Sequence, residues 1–115
     1  MVQDMPSSDA IENPLTVHKA SDGGKPVINV HGEVDAASAD TLRNAIFEVI
    51  DGGQASVIVD MHDVSFMDSS GLRVLIAGYK AAEQGGGRLQ VKNPSDVVTR
   101  LLEITGQLDR FVPTT

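Results

Sequence analysis

Two neighbouring serines stand at the point where an apolar stretch gives way to a helical pattern. The segment Ser65–Leu72 reads Ser-Phe-Met-Asp-Ser-Ser-Gly-Leu. The first amide groups of a helix lack intrahelical partners and carry partial positive charge, so an aspartate or a serine there makes a good cap. A phosphate attached to a hydroxyl at the same place would also find hydrogen-bond donors waiting. From residue types alone, a helix cap, which is the commoner role, and a phosphoacceptor site both remain open.

A second polar cluster follows the strand-like run near residue 30. His31, Glu33 and Asp35 alternate along the chain, so an extended backbone would place all three on one face, where they could suggest a metal site. Polar residues at a strand end are usually solvated, however, and no fourth ligand appears at a usable spacing, so we predict no metal and no cofactor. Segment 60–63, which holds two aspartates and a histidine, is predicted to be loop surface.

Catalytic arrangements are weakly supported. Ser69 could act with His31 or His62 as a hydrolase, but the chain has no Gly-x-Ser-x-Gly elbow, and so small a sheet is not expected to form a wide substrate cleft. Gly85–Gly87 is not followed by Lys-Ser or Lys-Thr, so it indicates a helix end rather than a phosphate-binding loop. A small nucleotide-binding enzyme remains the alternative from another functional class, and ATP or GTP turnover without a partner would favour it.

The elements that must position these residues follow from hydrophobic periodicity. Segment 15–19 alternates apolar and polar residues, 27–31 is a second strand-like run, and the turn composition of 21–26 makes the two an antiparallel pair. The continuous apolar run 57–59 is typical of a strand covered on both faces. Segment 89–91 gives a further inner strand.

Helical stripes separate the last three strands and follow the final one. Apolar residues recur at helical spacing within 42–50, 72–79 and 97–102, and each stripe is followed by glycine. Ser38 or Asp40 can cap the first helix. The element order is therefore β-β-α-β-α-β-α, and strands joined through helices require parallel crossovers. The sequence predicts an α/β fold, a small mixed β-sheet with helices packed on it.

The polar segments fall at the carboxyl ends of the predicted strands. In open parallel sheets, sites gather beyond those ends. Here the ends are predicted at His31–Asp35, Val64–Ser70 and Asn93–Ser95. We therefore expect these three loops to converge on one edge of the molecule. Met67, on the same loop as Ser69, is expected to be an exposed contact.

Length and composition fit one folded domain. The chain has 115 residues, of which 41% are hydrophobic and 22% charged, and chains of this size usually form one domain. Residues 1–13 are polar and lack periodicity, so we expect a flexible tail before a domain over 14–115. The sequence shows no membrane-length apolar run and no secretory signal, which predicts a cytoplasmic location.

Charge and residue usage disfavour several kinds of partner. Sixteen acidic and nine basic residues give a net charge of −7, which disfavours nucleic acid and anionic membrane surfaces. The chain has no cysteine, which removes disulfides, thiol nucleophiles and cysteine-type zinc sites. Aromatic residues make up only 3%, too few for a base-stacking platform.

Two motifs at a specific separation resemble the STAS domain, and within that family the bacterial anti-sigma factor antagonists. The first is Ser65–Leu72, preceded by the run Val57–Met61. The second is His31–Asp35, whose Gly-Glu-Val-Asp step follows the second predicted strand. The resemblance extends from about Leu15 to Val112, and the strand order derived above agrees with the family fold.

The resemblance implies a regulatory switch. In this family the serine directly after the motif aspartate, Ser69 here, is phosphorylated by an anti-sigma factor that is itself a serine kinase. The unphosphorylated antagonist binds the anti-sigma factor and so releases the sigma factor; the phosphorylated form cannot bind, and a serine phosphatase restores it. Such a chain is a kinase substrate and binding protein, not an enzyme. The alternative within the family is a regulatory module for another partner, such as a phosphatase, a lipid-transport complex or a stress-signalling assembly.

The expected partner-binding face combines these motifs with the predicted strand ends. The helix that follows the motif adds Arg73 to this face, at a position that varies in the family. The residues of the face are Asp35, Met67, Asp68, Ser69, Ser70 and Arg73.

Overall fold

Four strands form one mixed sheet in the part of the chain that the structure describes. The computed structural model describes residues 15–113, and the tail predicted over 1–13 lies outside them. Neighbouring strands follow chain order; the first two are antiparallel and the last three run parallel, which confirms the predicted sheet. The strands are β1 (Thr16–Asp22), β2 (Lys25–Val34), β3 (Val57–Met67) and β4 (Leu89–Lys92).

Helices connect the parallel strands and follow the last one. The first three match the predicted stripes, and glycines at positions 52 and 85 end the first two. The fourth is not predicted, because its four residues are too few to show a helical repeat. The helices are α1 (Ala39–Asp51), α2 (Ser69–Gln84), α3 (Asp96–Ile104) and α4 (Leu108–Phe111).

The core lies between the sheet and the helices. Burying each large aliphatic or aromatic side chain stabilises the fold by about 1.5–3 kcal/mol. The Phe111 ring meets the Tyr79 ring edge to face, with centroids 5.5 Å apart, which fixes α4 against α2. No helix within 15–113 is both long and apolar enough to cross a bilayer. The largest fully buried side chains include Ile28, Leu42, Ile46, Met61, Leu75, Leu89, Leu102 and Phe111.

Strands β2 and β3 run further than the apolar runs from which they are predicted. Those runs stop at residues 31 and 59, whereas β2 continues to Val34 and β3 to Met67, inside the strand ends expected at 31–35 and 64–70. Segment 60–63 is therefore part of β3, and its prediction as a loop is wrong.

The reason for this error lies in the spacing of buried residues along β3. Met61, Val64 and Met67 are buried, with two exposed residues in each interval between them. A spacing of three does not show the alternation by which strands are recognised. The pairing of β2 with β3 shifts register twice over this stretch, and such irregularities change which residues face the core.

The predicted convergence of three loops is also only partly right. Strand β4 ends at Lys92, which pairs with Asp60, and the Ser95 N–H donates to the Met61 carbonyl at 3.1 Å. Segment Asn93–Ser95 thus lies beside Met61, seven residues before Asp68. At about 3.3 Å per strand residue, this is roughly 20 Å from the start of α2. Only the ends of β2 and β3 meet.

Candidate functional site

The carboxyl ends of β2 and β3 lie side by side. Val34 pairs with Met67, and the Asp68 N–H donates to the Val34 carbonyl at 3.2 Å. Asp35 and Asp68 therefore leave the sheet next to one another, each just before a helical segment. The structure thus brings together the two motifs that the sequence singles out.

Asp68 is the N-cap of α2, so the helix-cap role left open for this segment belongs to Asp68. Its backbone is extended, and its carboxylate accepts a hydrogen bond from the Ser70 N–H at 2.8 Å. Its carbonyl also accepts from the Gly71 and Leu72 N–H groups. Ser69 then occupies the first helical position with an exposed side chain. Among residues 15–113, no side chain or backbone group hydrogen-bonds to the Ser69 hydroxyl, so this hydroxyl is not used as a cap.

Asp35 organises the turn between β2 and α1. Its Oδ1 accepts hydrogen bonds from the Ala37 N–H at 3.0 Å and the Ser38 N–H at 3.1 Å. The Ser38 hydroxyl donates to the Glu33 carbonyl at 2.7 Å and accepts from the Asp35 N–H at 3.0 Å. Ser38 lies at the N-cap position of α1, but its hydroxyl forms hydrogen bonds within this turn and none to the first turn of the helix. Asp35 is thus half-buried and structurally engaged, which the sequence did not reveal.

Met67 is not the exposed contact that the sequence predicts. Its side chain is 4% exposed and belongs to the core, whereas Phe66 is 43% exposed. Because Met67 ends β3 and pairs with Val34, its side chain is directed into the protein under the first turn of α2. The exposed apolar residue of this segment is therefore Phe66, three residues before Ser69, which sequence reasoning missed, since either residue could have faced outwards.

Gly71 lets the first turn of α2 lie close against the sheet. A Cβ atom built there would stand 2.6 Å from the Met67 Cγ and 2.8 Å from the Val34 Cγ1. Real Cβ atoms do not approach neighbours this closely, so only glycine fits without displacement. The motif glycine thus fixes the height at which Asp68 and Ser69 stand above the sheet.

A shallow groove separates α1 from α2 beside Ser70. Its volume is about 300 Å³. Arg73 is exposed, whereas Ser70 is half-buried. Arg43, on the opposite helix, could not be predicted because it is distant in sequence. The groove is lined by Ala39, Asp40, Arg43, Ser70, Arg73, Val74 and Ala77.

Comparison with known proteins places this architecture in a family. The family model described as the STAS domain matches residues 16–115. The chain belongs to the STAS domain family. The anti-sigma-B factor antagonist of Bacillus subtilis (strain 168) is 38% identical over 82 residues, which cover 71% of this chain and 74% of that protein. The resemblance inferred from the motifs is confirmed.

Solved structures agree with this STAS assignment. An anti-sigma factor antagonist from Mycobacterium paratuberculosis superposes with a TM-score of 0.75 at 29% identity, covering 86% of this chain and 83% of that one. The anti-sigma factor antagonist SpoIIAA in its unphosphorylated form gives 0.72 at 26% identity, covering 83% and 84%. SpoIIAA from Bacillus in the phosphorylated form gives 0.65 at 25% identity, covering 84% and 86%. The α/β fold is that of a STAS domain.

The histidines of this STAS domain form contacts with one another and with Asp63, not with Ser69. The His31 Nδ1 lies 2.9 Å from the Asp63 Oδ2, and the His18 and His31 rings meet edge to face at 5.6 Å. The serine–histidine pair of a hydrolase is therefore not formed within 15–113. Gly32, with φ 112°, and the adjacent register shift interrupt the alternation around residues 31–35. The described residues contain no group of three histidine or carboxylate side chains that could hold a metal ion.

The cap bond of Asp68 predicts how the STAS domain responds to substitution there. Asp68→Ala should lower the free energy of unfolding by about 1 kcal/mol, because the Ser70 N–H loses its acceptor. Asp68→Asn should cost much less, since asparagine caps about as well. Urea unfolding measures both, with Ser69→Ala as the matched control because that hydroxyl makes no such bond. Equal losses for all three variants would contradict the cap assignment.

Proposed function

We propose that this STAS domain is an anti-sigma factor antagonist that binds its anti-sigma factor when Ser69 is unmodified. The bound anti-sigma factor then releases the sigma factor. The relatives reported above carry this name, and SpoIIAA exists in an unphosphorylated and a phosphorylated form. The observation that carries the proposal is the exposed Ser69 hydroxyl, which stands free directly after the Asp68 cap.

The proposed switch is phosphoryl transfer to Ser69 by the serine kinase activity of the anti-sigma factor. The Ser69 oxygen attacks the γ-phosphorus of ATP, the bond between that phosphorus and the bridging oxygen breaks, and ADP leaves. The hydroxyl proton passes to a base of the kinase. A serine phosphatase reverses the modification by hydrolysis. The chain itself acts as a substrate and binding protein, needs no cofactor in this account, and works in the cytoplasm where its partner meets the sigma factor.

The proposed binding face surrounds Ser69 at the ends of β2 and β3. Ser69 and Arg73 are exposed on this face. Asp35, Asp68 and Ser70 are half-buried, and Met67 is buried. Phe66 supplies the exposed apolar surface that the face would otherwise lack. The face then consists of Asp35, Phe66, Asp68, Ser69, Ser70 and Arg73.

Capture of the partner tests the proposed function. The full chain with an affinity tag is incubated with lysate of its source organism, and bound proteins are identified by mass spectrometry. Ser69→Asp serves as the matched bait, because its negative charge should reduce capture. We expect an anti-sigma factor with a kinase domain on the unmodified bait and little of it on Ser69→Asp. Capture only of a phosphatase, a transport complex or a stress-signalling assembly would replace the proposal with the alternative of another STAS partner.

Charge substitutions at the rim test which groups the partner contacts. Arg73→Glu should weaken binding about tenfold, equivalent to ~1.4 kcal/mol, because the new carboxylate would repel the negatively charged group of the partner that Arg73 contacts. At position 35 the suitable variant is Asp35→Asn, since lysine would also lose the Oδ1 bonds that hold the turn. Isothermal titration calorimetry measures both, with Arg100→Glu on α3 as the charge-matched control. Normal binding by the first two variants would place the interface elsewhere.

The exposed ring of Phe66 should contribute a large share of the binding free energy. Truncating an aromatic residue that becomes fully buried on binding often lowers the binding free energy by 2 kcal/mol or more, so Phe66→Ala should weaken binding by about 30-fold. The fold should be unaffected, because the side chain is already 43% exposed. Surface plasmon resonance measures the affinity, and Ile104→Ala, at the other exposed large apolar residue within 15–113, is the control. A Phe66→Ala affinity equal to that of the control would exclude Phe66 from the contact.

A further inference from the structure

Arg73 lies one helical turn beyond Ser69 and has no charged partner among the residues that the structure describes. It is exposed on α2 at position i+4 from the serine, and it forms no ion pair with any residue in 15–113. Side chains four apart are neighbours on a helix surface, with Cβ atoms about 5–6 Å apart. Helical side chains also lean towards the N-terminus, so a residue covers the surface of the preceding turn. The Arg73 guanidinium is therefore within reach of the Ser69 Oγ.

The surroundings of Arg73 contain a second cation and two carboxylates. Arg43, on α1, lines the same groove and stacks over the Phe47 ring at 4.8 Å. Asp40 also lines the groove, and Asp68 precedes Ser69. Asp68 already accepts a hydrogen bond from the Ser70 N–H, whereas Arg73 has no such engagement within the described chain. Arg73 is thus the cation best placed to meet a new anion on Ser69.

We propose that the phosphate of phosphorylated Ser69 is held by Arg73 across one turn of α2, so that Arg73 is the second element of the switch. The inference rests on the phosphorylation of Ser69 proposed above. A guanidinium presents parallel N–H groups that match two phosphate oxygens, and such charge-assisted pairs are stronger than neutral hydrogen bonds. In the unmodified protein Arg73 is free to contact the partner. In the modified protein its charge is neutralised within the chain, so the phosphate both adds an anion to the binding face and withdraws a cation from it.

The ion pair has a signature that needs no partner protein. Phosphoserine loses its second proton at a pH of about 6, and a cation beside the dianion lowers that pKa, because it favours the charged form. For an exposed pair one helical turn apart the shift should be on the order of half a pH unit. The neighbouring carboxylates of Asp68 and Asp40 oppose the shift, but they do so equally with and without Arg73.

Phosphorus NMR on the full chain tests the pairing. Phosphoserine is introduced at position 69 by genetic encoding, so that no kinase is required, and the phosphorus resonance is followed from pH 4 to pH 8. Arg73→Gln should raise the second pKa of the phosphate by about half a unit. Arg73→Lys should give an intermediate pKa, because lysine keeps the positive charge but cannot form the bidentate hydrogen bonds of a guanidinium. Arg100→Gln, which removes an equal charge at an exposed position of α3, should leave the value unchanged.

Each result bears on the pairing alone. Equal pKa values for the Arg73→Gln and Arg100→Gln proteins overturn it, and so does a shift seen with Arg43→Gln but not with Arg73→Gln, because the phosphate would then lie against α1. A shift specific to Arg73 supports it. Because the NMR experiment contains no anti-sigma factor, a negative result would exclude the Arg73–phosphate pair without contradicting the proposed function, which the capture experiment tests. Conversely, failure to capture an anti-sigma factor would not change the NMR result.

Discussion

Phosphorylation of Ser69 should weaken binding to the anti-sigma factor by at least 100-fold and leave the stability of the STAS domain nearly unchanged. The phosphate adds a charge of about −1.5 to −2. Forcing that dianion into a packed interface without a cation from the partner costs several kcal/mol, and every ~1.4 kcal/mol is a factor of ten in affinity. Calorimetric titration of the two forms with the purified anti-sigma factor measures the loss.

The stability half of this prediction follows from the position of Ser69. A negative charge at the start of a helix is favourable by about 0.3–1 kcal/mol. Asp68 and the net charge of −7 oppose it by a similar amount. An exposed ion pair with Arg73 adds only about 0.2–0.5 kcal/mol, so the net change in stability stays small. Thermal unfolding of the modified and unmodified chains should give similar midpoints. A midpoint that collapses on phosphorylation would show that the switch acts through unfolding, against this account.

Single substitutions separate the charge of the phosphate from the loss of the hydroxyl. Ser69→Ala should bind the anti-sigma factor normally and accept no phosphate, because the side chain makes no structural hydrogen bond within the described chain. Ser69→Asp should fold normally and bind poorly, although one charge mimics a phosphate only in part. The same titration measures both, and tight binding by Ser69→Asp together with weak binding by Ser69→Ala would reverse the proposed logic.

Gly71→Ala should destabilise the domain and weaken partner binding together. The new methyl group would stand 2.6 Å from the Met67 Cγ and 2.8 Å from the Val34 Cγ1, so these side chains or the first turn of α2 must shift. Overpacking of this kind costs about 1–3 kcal/mol. Because α2 carries Ser69 and Arg73, a shift of its first turn also displaces the binding face, and we expect the affinity to fall as well. Urea unfolding and calorimetric titration measure the two effects.

Gly85→Ala is the matched control at the other end of α2. Gly85 has φ −88°, which any residue adopts, and the nearest atom to a Cβ built there is the Ala55 Cβ at 3.4 Å. The variant should therefore unfold and bind like the unmodified chain, with a change within about 0.5 kcal/mol. If both glycine variants behave alike, the close contact beneath Gly71 is not what fixes α2.

Local sequence patterns were enough to predict the order of elements. The stripe over 72–79 and the glycines after Gln84 define α2, and α2 matches its predicted bounds. The apolar run at 57–59 is correctly a strand paired on both edges. These features are predictable because each depends on residues close together in the chain. The Asp-Ser-Ser-Gly segment at the strand–helix junction is local in the same sense.

The parts of the site that could not be predicted depend on pairing between distant segments. Whether Phe66 or Met67 faces the core is decided by the register of β3 against β2, which the sequence of the segment does not state. Arg43 joins the groove beside Arg73 only because α1 packs near α2. The turn bonds of Asp35 depend on the exact course of the backbone after Val34, so a residue expected to be a contact also has a structural role.

Mass spectrometry of the chain after incubation with its kinase shows whether Ser69 is the phosphoacceptor. The full chain is incubated with the captured anti-sigma factor and ATP, digested, and its phosphopeptides are fragmented, with Ser69→Ala and Ser70→Ala treated in parallel. We expect one phosphate, on Ser69, which is retained in Ser70→Ala and absent from Ser69→Ala. Phosphate on Ser70, or no phosphate on a chain that binds the kinase, would contradict it.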